Sequence, residues 1–327
     1  MTAGIDSPQW HLLRLIDGYV VTQLLYVASE LGVADALPGT GPEVAERVGA
    51  DPGAMTRVLR GLSLEGIVSE QDGRFALTEL GALLPAFAGP LRARGELYYR
   101  GASDLLGAVR SGGTSFERVY GASFFEHLDA HPSHQAAFEA SMAGRAEQEA
   151  EAVVAAYDFR AFSSLVDVGG GRGVLLAAIL DQADLEATLL DREGAVDAAR
   201  AFLGDRASCE VGDFFEAVPA GADAYVLSRV LHDWDDEDAL RILRVCREAM
   251  SAHSRLIVVD AILPERAVDQ PFAIRMDLHM LLMLGARERT EAELRALLAR
   301  AGLEVQRLIA TGSPAGLGVI EASGRRA

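Results

Sequence analysis

From position 163 onward, short strand-like runs alternate with helical stretches, and the last two runs are joined by little more than a turn. Strands are expected at 165–168, 187–190, 208–211, 224–227 and 255–259. Buried runs separated by helices are what a parallel sheet covered on both faces requires, because parallel neighbours must be connected by crossovers. The final pair, 304–308 and 318–321, has Gly312-Ser313-Pro314 between its members. So short a connection allows antiparallel pairing and no crossover. The expected fold is α/β, a mostly parallel sheet finished by an antiparallel hairpin.

Where the first strand feeds its helix the chain reads Val168-Gly169-Gly170-Gly171-Arg172-Gly173. Glycines there let backbone amides approach a ligand with no Cβ in the way, at the positive end of a helix. The spacing is compressed relative to G-x-G-x-x-G, so the loop alone fits either NAD or S-adenosylmethionine. Asp191 stands at the end of the second strand, where a carboxylate can accept both ribose hydroxyls; the competing reading is a helix N-cap. Gly212-Asp213-Phe214-Phe215 ends the third strand and sets an acceptor for an adenine amino group beside an aromatic face, unless the phenylalanines are core.

The fourth strand runs into Leu-Ser-Arg-Val-Leu-His-Asp-Trp-Asp-Asp-Glu-Asp, 227–238. His232 lies at the carboxyl end of that strand, where an imidazole can act as a base near neutral pH. A lone histidine is also compatible with a hydrogen-bonded structural role. Trp234 could cover an adenine or a sulfonium, since cations are attracted to aromatic faces, or fill space. Asp235 to Asp238 are read as a helix start, where negative charge complements the dipole. Asp260 ends the fifth strand, and Glu288 precedes a helix opened by the capping box Thr290-x-x-Glu293. Either acid, if folded against His232, could fix the orientation of its ring, and both would favour its protonated form. The helix 272–284 carries Met276, His279, Met280 and Met283 among leucines, which suits a core face or an adaptable pocket for a flat apolar ligand.

The N-terminal half is helical. Leu13, Ile16, Val20, Leu24, Val27 and Leu31 follow spacings of three and four, predicting one long amphipathic helix that ends near Pro38-Gly39. The segment 43–77 reads as helix, turn, helix and two strands flanking Asp72-Gly73, a winged-helix order with a tight hairpin. Residues 94–157 read as further helices with aromatic and apolar faces, Met142 among them.

The charge balance, Lys+Arg 30 against Asp+Glu 48, repels a phosphate backbone or an anionic membrane. This argues against a winged-helix transcriptional regulator, although Arg57 and Arg60 lie on the second helix of the wing. Cys209 and Cys246 are far apart and belong to no metal-ligand pattern, so no metal and no disulfide framework is expected. No targeting signal is read at the N-terminus and no apolar run approaches the ~18 residues of a span. A cytoplasmic protein is the expectation.

Taken together, LVDVGGGRG, LLDREGAV, GDFFEAVP, LSRVLHDWDDED and GARERT resemble the small-molecule O-methyltransferase family that includes plant caffeate-type and bacterial antibiotic-biosynthesis enzymes. The resemblance covers almost the whole chain. It implies a class I methyltransferase, Rossmann-like sheet over 161–327, a helical winged-helix dimerisation domain over 1–105, and a helical linker, 106–160, that contributes to the substrate pocket. It further implies a homodimer, S-adenosyl-L-methionine as methyl donor and S-adenosyl-L-homocysteine as product.

Residue by residue, the resemblance implies that Gly169 and Gly171 line the methionine side of the cofactor, Asp191 takes the ribose, Asp213 and Phe214 flank the adenine, and Ser228 helps hold the cofactor. His232 matches the base, with Asp260 and Glu288 as its flanking acids; many relatives carry Glu where Asp260 stands. Met142 matches a position near the reactive methyl, and the helix of Met276 to Met283 an acceptor pocket. Asp191-Arg192-Glu193-Gly194 and the Leu-Ser-Arg before the histidine resemble the phenazine-modifying branch, which implies a flat tricyclic acceptor. A ring nitrogen attacks without losing a proton, so a histidine kept at 232 favours a hydroxyl acceptor. Branches of the family that have lost methyl transfer leave a cofactor-retaining decarboxylase or hydroxylase as the alternative.

Overall fold

The computed structural model describes residues 7–325, the burial of 143 and 144 excepted. The chain divides into two compact units, one of Met1–Asp104 with Phe116–Ala143 and the other of Leu105–Ser115 with Gly144–Ala327. The stretch 106–160, read in the sequence as one linker, is thus shared between them.

In the first unit the expected single long helix is two, Pro8–Ile16 and Gly18–Glu30, bent by 51°. The break falls at Asp17-Gly18, where glycine costs a helix about 1 kcal/mol relative to alanine. The second helix stops at Glu30, well before Pro38, because Gly32 turns the chain into the left-handed region at φ 63°. The winged-helix order is present: Gly41–Val48, Pro52–Leu64, and antiparallel strands Val68–Gln71 and Arg74–Leu77. A Thr40/Glu43 capping box opens its first helix. Asp72 and Gly73 both take positive φ, 50° and 74°, the mirror-image turn that matches the twist of a two-residue hairpin. A third strand that the sequence pattern did not reveal, Gly39–Thr40, pairs with Arg74 and Phe75. Val44, Met55, Leu59, Leu62 and Phe75 fill the core.

The second unit is built on β1 (Ser164–Val168), β2 (Glu186–Asp191), β3 (Ser208–Val211), β4 (Ala224–Ser228), β5 (Arg255–Leu263), β6 (Leu303–Ala310) and β7 (Leu317–Gly324), in spatial order β6-β7-β5-β4-β1-β2-β3. β1 to β5 pair in parallel, and β7 pairs antiparallel with both β5 and β6. Alternation assigns Val166, Val168, Tyr225, Leu227, Leu256 and Val258 to one apolar layer and Leu165, Val226, Ile257 and Val259 to the other. A sheet buried on both faces leaves its strand ends as the place where polar groups can gather. Arg289–Thr290 adds two residues parallel to the end of β5, Ile262 facing Arg289, and so brings Glu288 beside the carboxyl ends of β4 and β5. Among the described residues no single helix is long and apolar enough to cross a membrane.

Candidate active site

After β1 the glycine loop turns sharply. Gly169, Gly171 and Gly173 have φ of 72°, 57° and 81°, which side-chain-bearing residues rarely adopt. A Cβ at Gly169 would come within 2.9 Å of Val230 Cγ2, and one at Gly170 within 2.4 Å of Asp167 Oδ2. Asp191 is not the cap of the following helix; Arg192 occupies that place. Instead Asp191 Oδ2 accepts from Gly171 N at 2.8 Å and Oδ1 from Arg192 N at 2.7 Å, tying the end of β2 to the loop. Beneath it lies Asp167, on a strand position otherwise reserved for apolar residues. Its side chain is buried, both carboxylate oxygens lack a partner, and burial followed by the nearby Asp191 pushes its pKa up to about 7. A buried acid without a donor is costly and marks a place where a ligand's positive group can compensate it. The glycine cradle, the Asp191 carboxylate at the end of β2 and this acid fit an S-adenosylmethionine molecule.

Asp213 is exposed, with Oδ1 accepting from Phe215 N at 2.8 Å. Phe214 lies against the loop, its Cε1 3.4 Å from where a Gly169 Cβ would be. Trp234 meets Phe214 and Phe215 edge-on, at centroid distances of 6.1 and 4.7 Å, so the three rings form one aromatic group beside the glycine loop. Ser228 is the last residue of β4, paired with Val259.

His232 sits in a single helical turn, Leu231–Asp233, just beyond β4. Arg289 fastens that turn: its guanidinium donates to the carbonyls of Leu231 (2.7 Å) and Trp234 (2.9 Å) and to Asp236 (2.9 Å). The helix after it is capped by Asp235, which accepts from Glu237 N and Asp238 N; the acids of this stretch are accounted for by the helix start, apart from Asp233. The His232 ring is 6% exposed. Nδ1 pairs with Glu288 Oε1 at 3.0 Å, and Nε2 faces Asp233 Oδ1 at 3.3 Å. Glu288 is itself fixed by its N–H, which donates to Asp277 Oδ1 at 2.9 Å.

Asp260, buried in β5, places a carboxylate oxygen within 4.8 Å of the His232 and Glu288 ligand atoms. That spacing would suit a cation, but a buried guanidinium already supplies the positive charge: Arg229 Nη1 reaches the same Glu288 Oε1 at 3.2 Å. Burial and Arg229 push the His232 pKa down, and Asp233 and Glu288 more than reverse them, leaving it raised. Burial would raise the Glu288 carboxyl; His232 and Arg229 overcome it and hold it low. For Asp260 burial prevails and its pKa rises to about 7. The cluster therefore holds a hydrogen-bonded imidazole, one carboxylate held ionised, Glu288, and two, Asp233 and Asp260, that burial pushes upward, an arrangement suited to taking up and passing a proton.

Met276, Met280 and Met283 are buried in the helix Pro271–Met283, where Met276 and Met280 pack with Ala286, and His279 is half-buried on the same helix. Met142 belongs to the other unit. No role follows from the sequence for Asp167, Asp233 or Glu149, and Arg229 stands out there only within the Leu-Ser-Arg before the histidine. An acid inside an apolar strand was a visible signal for Asp167. Glu149, on the helix Pro132–Ala156, pairs with Arg145 at 3.2 Å and approaches Arg229 at 3.9 Å, and nothing in the local sequence announced that.

The O-methyltransferase domain family matches residues 102–304 and the O-methyltransferase dimerisation domain family residues 13–86. The chain is 42% identical to phenazine O-methyltransferase PhzM of Lysobacter antibioticus over 95% of each protein. Among solved structures, the mitomycin 7-O-methyltransferase MmcR superposes with a TM-score of 0.91 at 36% identity, covering 100% of both chains. The neocarzinostatin-biosynthesis O-methyltransferase NcsB1, solved with S-adenosyl-L-homocysteine and 1,4-dihydroxy-2-naphthoic acid, superposes with a TM-score of 0.82 at 34% identity over 95% of this chain and 98% of its own.

Proposed function

The chain belongs to the S-adenosylmethionine-dependent O-methyltransferases of the bacterial antibiotic-biosynthesis type, and from that premise we propose that it methylates a hydroxyl of a flat polycyclic aromatic metabolite, a hydroxyphenazine, with His232 as base. The observation that carries the reading is the His232–Glu288 pair, 3.0 Å long and buried at the end of β4, next to the loop that fits the cofactor. The phenazine assignment is supported by the similarity to a phenazine O-methyltransferase.

Gly169, Gly171, Asp167 and Asp191 would hold the ribose and methionine side of the cofactor, and Asp213, Phe214 and Trp234 the adenine side, with Ser228 at the end of β4. When bound, the cofactor supplies an activated methyl on its sulfonium and leaves as S-adenosylhomocysteine. A phenol with a pKa of about 10 is a weak nucleophile at neutral pH. Glu288 accepts from Nδ1–H and so leaves Nε2 as the basic nitrogen; the acceptor hydroxyl displaces Asp233 from Nε2 and gives up its proton there as its oxygen attacks. Ionised Glu288 then stabilises the imidazolium. A base of this kind contributes ~10² to 10⁴-fold, and alignment of the reactants up to roughly 7 to 11 kcal/mol. His279, Met280 and Met283 would line the acceptor pocket. The dimerisation-domain match and the exposed apolar face of the first helix support a homodimer.

The test is incubation with isotopically labelled S-adenosylmethionine and a panel of hydroxyphenazines and other aromatic phenols, read by mass spectrometry. Gain of one labelled methyl on oxygen supports the reading. Gain of oxygen or loss of carboxylate contradicts it and favours a hydroxylase or decarboxylase.

A further inference from the structure

Arg229 is the one non-glycine residue besides Asp72 with positive φ among the described residues, at 57°. A side chain is disfavoured in the left-handed region, and this one also carries a charge into the interior, its side chain 14% exposed. Two costs fall on one residue three positions before His232. The backbone N–H of Arg229 donates to Val259 O at 2.8 Å, which locks the turn between β4 and the histidine and directs the guanidinium into the acid cluster.

There the guanidinium and the imidazole use the same atom: Glu288 Oε1 receives Arg229 Nη1 at 3.2 Å and His232 Nδ1 at 3.0 Å. Glu149 lies on the other side, 3.9 Å from Nε, and is drawn off by Arg145 at 3.2 Å. A carboxylate that served His232 alone would stabilise the imidazolium further and make the ring a poorer acceptor of a proton. A permanent cation on the same oxygen holds Glu288 in place and ionised, and repels a second positive charge on the ring.

We propose that Arg229 is a positioning residue for His232: by sharing Glu288 Oε1 it fixes the acid that orients the ring and opposes a second positive charge there, so that the imidazole can accept the proton of the acceptor hydroxyl. The inference rests on the reading of His232 as the base and deepens it. The groups that act on the ring are Arg229 and Asp233 from its own segment, Asp260 from β5, Glu288 from the strand edge, and Glu149 with Arg145 behind Arg229. Arg229 is the cation seen on the acid bound to Nδ1.

The test is NMR titration of imidazole-labelled protein, with the His232 signal assigned from His232→Asn, in wild type, Arg229→Met and Arg229→Lys. In Arg229→Met the His232 midpoint is expected to rise, and in Arg229→Lys, which keeps the charge, to return toward wild type. The ratio of turnover at acid pH to turnover at alkaline pH, measured with 1-hydroxyphenazine, is expected to fall in Arg229→Met and recover in Arg229→Lys. Arg229→Gln is the second neutral variant if Arg229→Met does not fold. A midpoint that stays or falls in a folded neutral variant, or a lysine variant that behaves like the neutral ones, overturns the proposal. The titration needs no substrate, so its outcome is separate from that of the function: full turnover in His232→Asn would remove the base and leave the titration result standing.

Discussion

At the scale of single residues, the site depends on a few buried charges. His232→Ala should keep cofactor affinity by calorimetry and lose about 10² to 10⁴-fold in turnover. Because the His232 pKa is raised above 6.5, and a base must be neutral to act, turnover in wild type should fall as pH drops through that raised value; a flat profile from pH 5 to 8 would speak against a titrating base. Asp167 gives the opposite kind of signal. Its pKa of about 7 lies above the ordinary 3.8, so its contribution to stability is fully present below pH 4, where it is protonated in both states, and is lost as pH rises through 7. Asp167→Asn should therefore raise the melting temperature at pH 8 more than at pH 4, and weaken cofactor binding at both, measured by scanning fluorimetry and calorimetry. His232 was legible from its residue type at the end of a strand, and Glu288 only through the family resemblance, because nothing in its own segment sets it against the ring. Arg229 and Asp233 were not, because their roles depend on where a side chain turns after the strand ends.

At the scale of elements, periodicity located all seven main strands of the second unit and the wing hairpin to within a few residues. It joined Pro8–Ile16 to Gly18–Glu30, since an apolar stripe continues in register across a bend that only Asp17-Gly18 betrays. It missed Gly39–Thr40 because two residues carry no alternation. The glycine loop was visible as composition, and its strain only in φ. Gly169→Ala places a side chain at φ 72° and 2.9 Å from Val230 Cγ2, and should cost about 1 to 2 kcal/mol in chemical denaturation together with most of the cofactor affinity. A variant with unchanged affinity would show that the loop does not need to approach the ligand closely.

For the whole molecule, sequence patterning reached the fold class and the places of the strands; their spatial order came from the structure, and 105–115 and 116–143 go to different units without any change in composition at the boundary. The first helix exposes Trp10, Leu12, Leu13, Leu15 and Ile16, more apolar surface than one surface helix needs for solubility. Leu12→Glu with Ile16→Glu should turn a homodimer into a monomer by light scattering while the second unit keeps its cofactor affinity; a wild-type protein that is monomeric at micromolar concentration would contradict the dimer.

Everything proposed for the site converges on methyl transfer to an aromatic oxygen assisted by His232. It is tested most directly by single-turnover mass spectrometry of wild type and His232→Ala with methyl-labelled S-adenosylmethionine and hydroxyphenazines. One labelled methyl on oxygen is expected in wild type, and a rate reduced by about 10² to 10⁴-fold in the variant. Equal rates in the two proteins, or a product whose mass changes by anything other than a methyl group, would contradict it.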